Sequence, residues 1–280
     1  MDLLVSTQWL ADEMGASDLR IVDATLLLPE SGRDAAAEYE AEHIPGALYL
    51  NLDELRDTGS ALPSMLPPPE KFASRMQALG LGDGSRIVVY DNSPFRTAAR
   101  AWWMFRLFGA HDVAILDGGL EKWKAEERPV EGGKPSVRHR HFTVWKDEGT
   151  VRTKDQVAEA LKTKSAQIVD ARSTSRFTGE EPEPRADIAS GHMPGARNLP
   201  YSRLFNADGT WKRGNELKAV FIDAGIDLDK PVITTCGSGI TAAVLLFGAA
   251  LLGKSDVALY DGSWAEWGSD PATPKATGAA

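Results

Sequence analysis

The stretches "EHIPGALYLN" (42–51) and "GHMPGARNLP" (191–200) are one turn written twice. Working outward from them, three further pairs fall in the same order: "LRIVDATLLLP" (19–29) with "AQIVDARSTSR" (166–176), "SRIVVYDNS" (85–93) with "KPVITTCGS" (230–238), and "AILDGGLEKW" (114–123) with "ALYDGSWAEW" (258–267). A constant order at a spacing of about 145 residues is what duplication leaves and chance similarity does not. The chain of 280 residues therefore reads as two copies of one domain, each of ordinary size.

Each copy alternates two periodicities. Short apolar runs, "RIVDA", "RIVVYD" and "VAILDG" in the first copy and "QIVDAR", "PVITTC" and "VALYDG" in the second, have the length and β-branched content of buried parallel strands. Between them, "PPPEKFASRMQALGLG" (67–82), with Pro at its start and Gly at its end, and "FRTAARAWWMFRLFGA" (95–110) carry helical spacing. The alternation predicts an α/β fold, each copy a mainly parallel sheet flanked by helices. The polar, Pro- and Gly-containing stretch 124–150 holds the boundary, giving domains at 1–135 and 151–280 with a linker at 136–150. The tail "SDPATPKATGAA" (269–280) is expected to fray.

Composition narrows the function. Forty acidic against 31 basic residues, a formal charge of -9, oppose binding to nucleic acid or to an anionic membrane. No apolar stretch approaches the roughly 20 residues of a membrane-spanning helix. The longest, "AAVLLFGAALLG" (242–253), reads as a buried helix. A single Cys forms no internal disulfide, and "MDLLVSTQWLADEMG" has no basic start followed by an apolar run, so a reducing cytoplasm is the expected compartment. One Cys and no paired His spacing on a helix argue against a zinc site, and His111, His139 and His141 match no motif.

That one Cys is Cys236, in "PVITTCGSGITAAVLLFGAALLG" (231–253). It falls in the tight turn between a buried strand and a helix, where open α/β sheets bind ligands at the carboxyl ends of their strands. Small residues at 237–239 let the loop curl until successive N–H groups face one centre, an anion nest over the sulfur. A lone Cys is more often inert packing, but the strand, Cys-Gly-x-Gly loop and helix together point to a nucleophile. Asp91 holds the corresponding strand end in the first copy, and "DNSPFRT" has neither the sulfur nor the paired glycines, so that copy reads as catalytically inactive.

These features resemble the tandem-domain rhodanese-type sulfurtransferases: the two H-[IM]-P-G-A turns, the strand, Cys loop and helix, and the closing "DGSWAEW". The resemblance implies two rhodanese-like domains and transfer of sulfur through a persulfide on Cys236. Thiosulfate-using members carry basic residues directly after the Cys; here Gly237, Ser238 and Gly239 stand there, and "CGSGIT" is similar to the loop of the mercaptopyruvate-using branch, with Ile240 and Thr241 completing it. The resemblance further implies that "SRFTGEEPEPR" (175–185) presents Arg176 and Arg185 to the substrate's carboxylate and keto groups, a task for which forked, permanently charged donors suit. The alternative is that both arginines pair with Glu180, Glu181 or Glu183. A catalytic set of Ser238, His43 and Asp34 is implied in the same way, although His43 sits in a repeated turn whose other copy, His192, reads as structural.

The expected reaction moves sulfur from 3-mercaptopyruvate to a thiol such as thioredoxin or a small thiol, or to cyanide, with release of pyruvate and no cofactor. The alternatives are a thiosulfate:cyanide sulfurtransferase and a persulfide carrier loaded by another protein. A cysteine phosphatase is disfavoured, because the position six residues after Cys236, where such enzymes place an Arg, is Ala242.

Overall fold

Runs of Val, Ile and Leu that are too short for helices become strands, and the structure, a computed structural model describing residues 1–279, places them as the repeat predicts. The first copy runs β1 (Leu4–Val5), α1 (Thr7–Glu13), β2 (Leu19–Asp23), α2 (Ala35–Ala41), β3 (Leu48–Tyr49), α3 (Leu52–Leu55), α4 (Pro69–Ala78), β4 (Arg86–Tyr90), α5 (Ala98–Leu107), β5 (Val113–Leu116) and α6 (Gly119–Ala125). The second runs β6 (Val151–Arg152), α7 (Lys154–Thr163), β7 (Gln167–Asp170), α8 (Thr174–Thr178), β8 (Arg197–Asn198), α9 (Gly214–Asp223), β9 (Val232–Thr235), α10 (Ala242–Leu251), β10 (Val257–Tyr260) and α11 (Ser263–Trp267).

Two five-stranded sheets result, ordered β1-β5-β4-β2-β3 and β6-β10-β9-β7-β8, with every pairing parallel. Matched strand by strand, the two orders are identical. All residues of β5, β9 and β10 are buried, as strands covered on both faces by helices must be. The helices form for local reasons as well. Pro69 opens α4 and Phe72 and Met76, one turn apart, form its buried stripe, while Thr153 and Gln156 close a capping box on α7. The first core gathers Val88, Tyr90, Ala114 and Trp123, and the second Ile168, Ile233, Tyr260, Trp264 and Trp267.

By packing, the chain divides into one unit of Met1–Thr58, Leu66–Asp147 and Phe205–Trp211, and another of Gly59–Met65, Glu148–Leu204 and the chain from Lys212 onward. Much of the stretch expected as a linker, 136–150, lies along the first unit. His141 accepts from the Asp83 N–H at 3.0 Å, Thr143 donates twice to the Asp83 carboxylate, and buried Phe142 meets Phe72 edge to face. The tail expected to fray is tied back instead: Ala276 and His192 exchange both backbone hydrogen bonds, at 2.8 and 2.9 Å, and the Trp267 indole donates to the Pro274 carbonyl at 2.9 Å. Its Pro and small polar residues mimic disorder in composition, while its anchors are backbone groups that composition does not reveal. Among the described residues no helix is long and apolar enough to cross a membrane.

In the second sheet the chain starts at the edge strand β6, crosses to β7, moves to the other edge with β8, then returns past β7 to β9 and adds β10 between β9 and β6. The carboxyl ends of β7 and β9 therefore flank the point where the winding reverses, the place where open α/β sheets form a crevice.

Candidate active site

Cys236 follows β9, the central strand of the second sheet, and its side chain is buried. The Gly239 N–H points at Cys236 Sγ from 3.1 Å, with Gly239 at a φ of 80° that favours glycine. Helix α11 orients the rest of the loop. The Trp264 and Ala265 N–H groups take the Cys236 and Gly237 carbonyls at 2.9 Å each, so in these trans peptides the Gly237 and Ser238 N–H groups face the opposite way. Ile240 and Thr241 lead into α10, whose ten residues begin one position later. Ser238 is half-buried, and its hydroxyl makes no hydrogen bond among the described residues. A residue that the sequence reading passed over, Ser263, accepts from the Cys236 N–H at 3.2 Å and donates to the Tyr260 carbonyl at 2.8 Å. It holds a positive φ of 49° without being glycine, a backbone strain that sequence alone does not display.

Arg176, on α8, flanks this loop: a Cβ placed on Gly237 lies 3.1 Å from Arg176 Nη2. The guanidinium is held from behind by Glu183, with Nη2 to Oε2 at 2.5 Å and Nε to Oε1 at 3.3 Å. Glu183 is itself buried and bound at 2.6 Å by Arg172, which is fully buried, forks onto Asp170 and stacks over Trp264. Of the two possibilities for Arg176, pairing with Glu183 and facing the Cys loop, the structure holds both at once. Glu181 bonds Ser175 instead, at 2.6 Å. Arg185 is exposed and makes no ion pair among the described residues. The structure thus gathers Cys236, Gly237, Ser238, Gly239 and Arg176, with Glu183, Arg172 and Ser263 as supports. The acidic neighbours of Arg176 were visible in sequence, but which of them turns inward was not.

The first copy shows what happens without the thiol. Asp91 takes the strand end after β4, and its own carboxylate occupies the helix-capping position, accepting from the Ser93 N–H at 2.9 Å and the Ala98 N–H at 2.7 Å. Burial pushes this carboxyl up to about 6, against the pull of those two N–H groups. Asp34 caps α2, accepting from the Ala36 and Ala37 N–H groups. His43 is buried in its turn, Nδ1 2.6 Å from the Tyr39 carbonyl and ring stacked on Tyr39. His192 repeats that arrangement on Phe177, at 2.8 Å. No group of three or more His, Cys, Asp or Glu suited to a metal ion occurs among the described residues.

Fold and site together define a duplicated parallel α/β protein in which only one copy carries a thiol, seated at a reversal point of the sheet and fronted by an arginine. The chain belongs to the rhodanese-like domain family, which it matches twice, over residues 6–126 and 153–270. It is 42% identical over 270 residues to a human 3-mercaptopyruvate sulfurtransferase, covering 94% of this chain and 91% of that one. A thiosulfate sulfurtransferase of Cricetulus griseus is 40% identical over 271 residues, with the same coverages. The crystal structure of SseA from Escherichia coli, described as a 3-mercaptopyruvate sulfotransferase, superposes with a TM-score of 0.87 at 39% identity, covering 94% of this chain and 99% of that one.

Proposed function

We propose that this chain is a 3-mercaptopyruvate sulfurtransferase working through a persulfide on Cys236. The observation that carries the reading is the Gly239 N–H trained on Cys236 Sγ with the Arg176 guanidinium beside the same loop. The Cys236 thiolate attacks the sulfur of 3-mercaptopyruvate, forming the S–S bond while the C–S bond breaks. The electron pair of that bond leaves on the enolate of pyruvate, which takes up a proton, and Ser238, within the Cys loop, is the residue we assign to donate toward it. Arg176 and Arg185 hold the carboxylate and keto oxygens, which fixes the sulfur in line with the thiolate. The Gly239 N–H stabilises the negative charge on Cys236 Sγ before the attack and again when the thiolate is restored. A thiol, thioredoxin or a small thiol, then attacks the outer sulfur and restores the Cys236 thiolate. In this reading His43 and Asp34 take no part in the step: Nδ1 of the one and the carboxylate of the other bond groups of their own copy, and His43 Nε2 faces Glu131 Oε1 at 3.7 Å. The chemistry needs a reduced Cys236 and so fits a reducing compartment such as the cytoplasm.

A thiosulfate-using reading has one observation in its favour, the similarity to the Cricetulus griseus sulfurtransferase. Against it, Gly237, Ser238 and Gly239 bring no charge to the loop. The test is intact-protein mass after brief exposure of the reduced chain to 3-mercaptopyruvate, with Cys236→Ser in parallel and pyruvate assayed in the supernatant. One added sulfur on the wild type alone, matched by pyruvate, is expected. Loading from thiosulfate but not from mercaptopyruvate moves the assignment to the alternative donor. Loading from neither leaves a carrier filled by another protein.

A further inference from the structure

Duplication supplies an internal comparison for each position. After β2 and after β7 the chain makes the same turn: the Thr25 N–H donates to Asp23 Oδ1 at 2.9 Å, and the Arg172 N–H to Asp170 Oδ1 at 2.9 Å. The side chains then diverge. In the second copy the Arg172 guanidinium folds back onto the Asp170 carboxylate, with Nη2 to Oδ2 at 2.6 Å, and fills the space against the Trp264 ring at 4.6 Å. In the first copy Thr25 stands where Arg172 does, and Leu120 where Trp264 does. Two large side chains have become two small ones, and a cavity of about 270 Å³ is lined by both replacements and by Asp23.

The electrostatics of that cavity are unbalanced. Asp23 is buried and bonded only by neutral donors, among them the Thr25 N–H and the Thr25 hydroxyl, and no Lys or Arg is ion-paired with it among the described residues. Burial raises its carboxyl above the usual range, as expected of a carboxylate that lacks the cation its counterpart has. The two cations on the cavity wall are already engaged: Arg33 forks onto Glu38 at 2.6 and 2.7 Å, and Lys124 meets Glu42 at 2.6 Å. Three wall carboxylates, Asp23, Glu38 and Glu42, thus face two cations, and the one with no Lys or Arg paired to it, near only the His43 ring, is the most deeply buried.

We propose that this cavity is a binding site for a small organic cation, an alkylguanidinium or primary ammonium compound, which takes beside Asp23 the place that Arg172 takes beside Asp170. A planar guanidinium matches a carboxylate edge with parallel hydrogen bonds, and both hydrogen bonds from Thr25 go to Oδ1, so Oδ2 takes none from it. The volume lies just under the ~300–1,000 Å³ of common small-molecule sites, so the ligand is compact, a charged head on a short alkyl stem that meets Leu120. The site lies wholly within the first unit, on the copy that lacks the thiol.

The test titrates ethylguanidinium chloride into the full chain by calorimetry at constant ionic strength, against sodium chloride as the control salt. Saturable binding of one ethylguanidinium per chain is expected in the wild type. Thr25→Arg, which supplies the missing guanidinium covalently, abolishes it, and Asp23→Asn, which keeps the shape and removes the charge, weakens it roughly tenfold or more. Both variants retain sulfur loading at Cys236. No saturable binding to the wild type overturns the proposal. So does equal binding to whichever of the two variants is folded, because the ligand then sits elsewhere.

Discussion

Glu183 holds two guanidinium groups while almost excluded from solvent, its side chain 3% accessible. Removing one partner of such a buried set leaves uncompensated charge and costs about 3–5 kcal/mol, far more than an exposed pair is worth. Glu183→Gln is therefore expected to lower the unfolding free energy by an amount in that range and, by releasing Arg176, to raise KM for mercaptopyruvate more than it lowers kcat. Steady-state kinetics beside a urea melt checks both; unchanged KM in a folded variant defeats the idea that Glu183 positions Arg176. Asp91 sets a different expectation. Its folded-state carboxyl stands at about 6 against an ordinary 3.8, so between those values the native chain binds more protons than the unfolded one. Its contribution is fully present below about pH 4 and is lost as pH rises through about 6. The loss is on the order of 3 kcal/mol, since each pKa unit is worth about 1.4 kcal/mol. Between pH 5 and pH 8, wild type should lose more stability than Asp91→Asn; equal slopes in urea melts at the two pH values contradict the assignment. At this scale sequence carried the single thiol and its place in a loop after a buried strand, because Cys236 is unique and its loop is local. It did not carry Glu183, Arg172 or Ser263, whose roles depend on which side chains meet after the chain has folded back.

The unit of function one level up is β9, the Cys loop and α10. Gly239 serves it twice, supplying the N–H that reaches Sγ and turning the chain at φ 80°. Gly239→Ala forces a β-carbon into left-handed backbone, at a cost of about 1–2 kcal/mol, and the loop can relieve that only by turning the N–H away. The expected outcome is a modest drop in melting temperature with a larger drop in the rate of persulfide formation, read as single-turnover pyruvate release. A variant that loads sulfur at the wild-type rate removes the loop N–H from the mechanism. Strands and helices were legible because their periodicity is local, and the Pro69 start and Gly80 stop of α4 are written in the chain. Residues 136–147 and the tail were not, for their anchors are backbone groups and Phe142, which look like linker until Asp83 and His192 are brought beside them.

Across the whole molecule, duplication separates what the fold needs from what the reaction needs. A residue that both copies keep in the same contacts is explained by architecture; one that differs calls for chemistry. Cys236 against Asp91 and Arg172 against Thr25 are differences. His43 and His192 are the reverse. Each is buried, each sets Nδ1 against a helix carbonyl at 2.6 or 2.8 Å, each stacks on an aromatic ring, and each donates its backbone N–H at 2.8 Å to a returning segment, at Glu131 or Ala276. His43 Nε2 makes no hydrogen bond and lies 3.7 Å from Glu131 Oε1. His43→Asn and His192→Asn are accordingly expected to destabilise by similar amounts, about 1–2 kcal/mol for a lost buried hydrogen bond and stacking contact. A general acid or base contributes about 10²–10⁴-fold to rate, which no such stability change imitates in protein that remains folded. Single-turnover pyruvate release by the two variants, measured well below their melting temperatures, should therefore agree within a small factor. A deficit of that catalytic size in His43→Asn alone would return His43, and with it Asp34, to the proton-transfer path.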